Sequence, residues 1–86
     1  MEFDYTPKHR LDVAFFQIID LGVDHRRDLM IMWRSAKSVW DRMDIEAIDC
    51  RKHRKLTTKY QDLSKNLDTK LETIEQYLTF ATLLTK

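Results

Sequence analysis

The chain has 86 residues, 43 % of them apolar and 34 % charged, with a formal net charge of +1 and a single cysteine, Cys50. That balance excludes a disordered chain, which combines low hydrophobicity with high net charge, and the lone thiol excludes an internal disulfide framework. What remains is one small domain whose core is marginal unless packing is very good or partners help.

Gly22 and Pro7 are the only glycine and proline, whereas strand-rich folds need turn residues about every eight to twelve positions. Long helices are therefore expected. The sequence opens without a basic-then-apolar signal segment, and no apolar run approaches the roughly 18 residues that span a bilayer. A cytoplasmic protein without membrane association is the expectation, and one unpaired thiol fits a reducing compartment.

Residues 1–6 read as a tail whose Phe3 and Tyr5 can tuck onto the core or a neighbour. The first helix is predicted over residues 7–21, with Thr6 as N-cap, Pro7 where a missing N–H costs nothing, and Gly22 as a left-handed stop. Eight of the eleven residues from Leu11 to Leu21 are apolar. A helix that is apolar nearly all round needs cover on several sides, and part of that cover is expected from another subunit.

The second helix is predicted over residues 24–55, capped by Asp24. Leu29, Trp33, Ala36, Trp40, Met43, Ala47 and Cys50 recur at steps of 4, 3, 4, 3, 4 and 3, a coiled-coil-like seam. Met32, Val39, Ile45 and Ile48 are expected to widen that seam into the face of a bundle helix. The pattern fails between Cys50 and Leu56, across Arg51, Lys52, His53, Arg54 and Lys55.

It resumes at Leu56, Tyr60, Leu63, Leu67, Leu71, Ile74, Leu78 and Ala81, which predicts a third helix over residues 59–85. One doubled step of 4 would locally unwind a left-handed supercoil. Thr58 and Gln61 have the spacing of a capping box. The phase break and that box favour an antiparallel hairpin over the alternative, one continuous helix of about 60 residues and about 90 Å.

The basic stretch Arg51, Lys52, Arg54, Lys55 and Lys59 is a candidate phosphate contact, with Lys8, Arg10, Arg26 and Arg27 as helpers. Its competing reading is a solvated turn whose cations complement the C-terminal end of the second helix. Net charge near zero argues against a dedicated DNA binder. Lys8, His9 and Arg10, like His25, Arg26 and Arg27, sit in first helical turns, where acids are expected; Asp12, Asp24 and Asp28 are the residues that would balance them.

No motif names a reaction. Cys50-x-x-His53 with Asp49 offers too few ligands for zinc, so no metal is expected. Asp41, Asp44, Glu46 and Asp49 lack the Glu-x-x-His pairs of di-metal helical enzymes, and Asp49 reads as an intrahelical partner of Lys52 and His53. There is no Gly-rich phosphate loop and no strand-to-helix turn to expose Ser35, Ser38 or Ser64. Neither enzymatic activity nor a cofactor is expected.

The class expected is all-α: a short N-terminal helix packed on a long antiparallel, coiled-coil-like helical hairpin. Trp33, Trp40, Leu63, Leu67, Leu71 and Ile74 should lie in its core, with Phe15 and Ile18 closing one end. Surplus apolar side chains at Phe15, Phe16, Ile19, Tyr77, Leu78, Phe80 and Leu84 are the candidate protein interface. The function expected is a non-enzymatic interaction or assembly module, such as an adaptor, a regulator or a part of a virus or phage particle. Its expected partner is a second copy or a larger protein, and the alternative is a nucleic-acid-associated protein using residues 51–59.

Overall fold

A computed structural model describes residues 4–84, and these are helical over three segments: α1 (Thr6–Ile19), α2 (Val23–His53) and α3 (Thr58–Leu84). The predicted all-α hairpin is the observed fold, and the continuous 60-residue helix is excluded by the turn at Arg54–Thr57. Among the described residues there is no strand. Each helix starts one residue before the predicted start, and α1 and α2 end two residues before the predicted ends. Residues 1–3, including Phe3, and residue 85 of the predicted third helix lie outside the described part.

Connections of three and four residues leave each helix no choice but to fold back antiparallel on the one before it. All three pairs of helices touch, α2 against α3 most extensively, in a rod of 49 × 18 × 16 Å. At 1.5 Å per residue α1 is about 21 Å long and α2 about 46 Å. The Tyr5 ring at the start of α1 stands 6.4 Å from Trp40, midway along α2. From Trp40 to the tip the hairpin therefore runs beyond the reach of α1.

The core takes Leu11, Ala14 and Ile18 from α1, Leu29, Ala36, Val39, Trp40 and Met43 from α2, and Leu67, Leu71, Ile74, Leu78 and Ala81 from α3. Removing each large aliphatic side chain from water contributes roughly 1.5–3 kcal/mol. The seam holds along α2, where Trp33 alone is half-buried, and it holds along α3 from Leu67 onward. Leu63 and Tyr60 are half-buried and Leu56 is exposed, because α1 does not reach them.

Ile45 and Ile48 do not widen the apolar face: both are exposed. At 100° per residue they fall on the far side of α2 from Met43 and Ala47. Trp33, by contrast, ties two helices together, its indole Nε1–H donating to the Leu11 carbonyl at 2.7 Å.

The helix ends depart from the predicted caps in four places. Thr6 is the first helical residue, not the cap; its N–H is taken by Asp4 Oδ1 at 2.9 Å, and the Thr6 hydroxyl first, then this N–H, hold the Asp4 carboxyl below the usual range. Gly22 is extended (φ −64°, ψ 160°) and serves as the N-cap of α2 without a side-chain bond, so Asp24 sits in the first turn instead of capping. Thr57, not Thr58, caps α3: its Oγ1 accepts the Tyr60 N–H at 3.1 Å, which shifts the box out of phase with Gln61. The left-handed residue is Arg54 (φ 54°, ψ 37°), ending α2.

Candidate interaction surface

The predicted interface residues divide among three places. Phe15 is half-buried, its ring 5.1 Å from Trp33, and Phe16 meets it edge-on at 5.9 Å while facing outward with Ile19 on α1. Leu78 belongs to the core, only 4 % exposed, because its position one turn past Ile74 points it at α1 and α2. Tyr77, Phe80 and Leu84 stay exposed and follow one another at steps of 3 and 4, a single stripe along α3.

That stripe borders an open groove of about 560 Å³ between the start of α2 and the end of α3, lined by His25, Asp28, Leu29, Met32, Thr73, Tyr77, Phe80 and Ala81. It continues past Met32 and Thr73 into a second depression with Ile31, Ser35, Thr69 and Lys70. No residue of α1 lines either one, since α1 packs on the other side of the hairpin, where Val13 and Gln17 face Glu75, Leu78 and Thr79. The groove is thus the uncovered face of a two-helix layer. Phe80, 61 % exposed, is the most exposed of the large apolar side chains that line it.

Sequence reading finds the α3 half of this groove and misses the α2 half. His25, Asp28, Met32 and Ser35 repeat at steps of 3, 4 and 3, parallel to the seam, but only Met32 among them is apolar. Lys70 Nζ donates to Ser35 Oγ at 2.9 Å and bridges the groove at its far end.

The cations are also divided. Arg51, Lys52, Arg54 and Lys55 are exposed together at the hairpin tip, beside Lys59, whose side chain is 75 % exposed and whose Nζ is 3.8 Å from Glu46 Oε2. Lys8 and Arg10 are not available as helpers. Lys8 pairs with Asp12 at 2.7 Å. Arg10 reaches across to α3, where Nε and Nη2 grip both Glu75 oxygens and Nη1 holds Asp68 at 2.9 Å. The bonds from Glu75 and then Asp68 outweigh the opposing effect of partial burial and raise the affinity of this guanidinium for its proton. Arg26 and Arg27 line a shallow depression on α2 with Val23, Met30, Ile31 and Arg34, far along the rod from the tip.

The carboxylates do not converge. Asp41, Asp44 and Asp49 are exposed, Asp41 pairs with Lys37, and Glu46 alone turns inward, 8 % exposed. Asp49 forms no ion pair with Lys52 or His53 among the described residues. Glu46 Oε1 accepts the Thr57 hydroxyl at 3.0 Å, and that hydroxyl also lies 3.7 Å from the buried Cys50 Sγ. Nothing among the described residues brings three or more His, Cys, Asp or Glu into a metal-binding group. Nor is any described helix long and apolar enough to cross a membrane. No protein-family model, curated protein or solved structure matches the chain.

Proposed function

We propose that the chain is a non-enzymatic assembly module that pairs with a second copy of itself through the open groove between α2 and α3. The observation that carries this reading is the stripe Tyr77, Phe80 and Leu84, exposed beside a groove that α1 leaves uncovered. Large apolar surface of this kind marks interaction sites.

Area supports the same reading. The accessible surface is 6224 Å² for 10.4 kDa, against about 5,400 Å² for a compact monomer of that mass. The surplus of about 800 Å² comes from the rod shape and matches what one partner contributes to a standard interface. A two-fold pairing sets the same patch against itself. Asp28 lies at one end of the groove and Lys70 at the other, so an antiparallel pairing brings opposite charges together.

The test is solution mass by light scattering behind a sizing column, for the parent and for Phe80→Glu. The parent should have the mass of two chains at both low and high salt, since an apolar interface is little screened. Phe80→Glu should be monomeric at the same concentration with unchanged helicity, its self-affinity down by about two orders of magnitude because a carboxylate must be desolvated. A parent that stays monomeric at about 100 μM, where a specific interface of this size is expected to be populated, refutes the reading.

A further inference from the structure

We infer that the tip of the α2–α3 hairpin is a contact surface for the phosphate backbone of nucleic acid, on a different part of the rod from the apolar groove and independent of it. The first ground is charge segregation. Residues 51–59 carry five cations and no acid, and the remaining ten cations against fourteen acids leave the rest of the chain at −4. A net charge of +1 for the whole chain therefore conceals a strongly polarised rod.

The second ground is the backbone at Arg54. The turn closes as a Schellman motif, with Lys55 N–H bonded to the Cys50 carbonyl at 3.1 Å and Arg54 N–H to the Arg51 carbonyl at 3.3 Å. The left-handed position of this motif is the usual place for glycine, and here it holds an arginine at φ 54°. The strained residue thus presents a cation at the outermost bend of the chain, where Lys52 and Lys55 flank it and are also exposed. A local rule broken in favour of charge at an exposed tip is the pattern expected of a binding site.

The composition of the tip selects the partner. Protein interfaces centre on apolar anchors with charge at the rim, and the exposed apolar residue within the tip is Leu56 alone. Anionic membranes are held by basic residues together with several inserted aromatic or aliphatic side chains, and residues 51–59 offer Leu56 and no Phe, Tyr or Trp. Interfaces with nucleic acid are polar and strongly positive. At about 10–12 Å per helix, the two helices of the tip are together about 20 Å across, wider than the major groove of about 12 Å. It rests on phosphates and does not read bases.

The experiment is fluorescence anisotropy of the full chain with a labelled 20-base-pair duplex of arbitrary sequence, between 50 and 300 mM NaCl. Four to five neutralised phosphates predict a log–log salt slope of about −4, the same for two unrelated duplexes. Arg54→Gly should lower that slope by about one unit and weaken binding several-fold while raising the thermal midpoint, because glycine relieves the left-handed strain. A residue that served only the turn would not show this opposition. Lys52→Glu with Lys55→Glu should abolish binding and leave helicity and mass unaltered. Phe80→Glu should still bind, which separates this inference from self-association. Absence of binding at 50 mM salt overturns it, as does binding that survives Lys52→Glu with Lys55→Glu. A preference for phosphatidylserine vesicles or polyglutamate over the duplex overturns it as well.

Discussion

Replacing Thr57 by valine, nearly the same in shape but without the hydroxyl, should destabilise the fold more than any other single-atom change near the tip. The Thr57 hydroxyl has one proton and two lone pairs. The proton goes to Glu46 Oε1 at 3.0 Å, one lone pair takes the Tyr60 N–H at 3.1 Å, and the Cys50 thiol at 3.7 Å is left to donate toward the other. Losing the N-cap costs about 1 kcal/mol. Leaving a buried carboxylate oxygen without its donor costs about 1–3 kcal/mol more. The sum, about 2–4 kcal/mol, is a large part of the roughly 4–13 kcal/mol expected for a domain of this size. Urea unfolding followed by circular dichroism should show the midpoint falling with the slope unchanged. Thr57→Ser should recover most of the loss, and Thr57→Val combined with Glu46→Leu should be more stable than Thr57→Val alone, since removing both partners leaves no buried carboxylate without its donor and only the lost N-cap bond to Tyr60 remains. A Thr57→Val variant within about 0.5 kcal/mol of the parent, the range of ordinary surface substitutions, would refute the reasoning.

Two further outcomes follow from groups that join distant parts of the chain. Arg10→Ala removes the bidentate grip on Glu75 and the bond to Asp68, and with these groups partly exposed the loss should be about 1–2 kcal/mol; hydrogen exchange should quicken in α1 while the amides of α2 and α3 facing each other keep their protection. Tyr60 is pushed above the ordinary tyrosine range, first by burial and then by nearby Cys50 and Asp4, with Arg51 opposing. Its neutral form is therefore favoured in the folded chain, so the stability it contributes is complete below about pH 10. That stability is lost as pH rises through the unfolded and then the folded value. Absorbance titration near 295 nm should show a late-titrating phenol that disappears in Tyr60→Phe, and an unchanged curve in that variant would contradict the assignment.

The heptad-like seam was readable because burial on a helix leaves a period, and Leu29, Ala36, Met43, Ala47 and Cys50 keep theirs to the end of α2. Off-seam apolar residues left no such guide. Ile45 and Ile48 are of the same chemical type as Val39, yet only Val39 is buried, and the difference is angular position relative to a partner helix whose placement no local pattern encodes. Arg10 and Glu75 lie 65 positions apart, so their contact could not be inferred from either segment. The caps failed for a different reason. Thr57 and Thr58 are adjacent and chemically identical, and what selects Thr57 is Glu46 on the opposite helix, which needs its hydroxyl. Likewise the expectation that glycine takes the left-handed position was sound chemistry applied to the wrong residue: Gly22 is extended and Arg54 is left-handed.

The polar junction of Glu46, Thr57 and Cys50 also explains how a slender tip keeps one geometry. Beyond Trp40 the hairpin has only two helices, and Leu63 and Tyr60 are half-exposed, so apolar contact alone discriminates poorly between neighbouring registers. Sliding α3 by one residue would exchange Thr57 for Leu56 or Thr58 opposite Glu46. Leu56 offers no hydroxyl, and Thr58, already inside α3, has no capping role to share. The first shift would strip Glu46 of its donor at about 1–3 kcal/mol and the second would separate that donor from the N-cap bond, worth about 1 kcal/mol, while either changes the buried apolar area little. The turn that follows is therefore fixed in length and in handedness, and with it the spacing of Lys52, Arg54 and Lys55. A surface that contacts phosphates needs its cations held at a constant spacing, and here that spacing is set by one buried carboxylate about two turns below them.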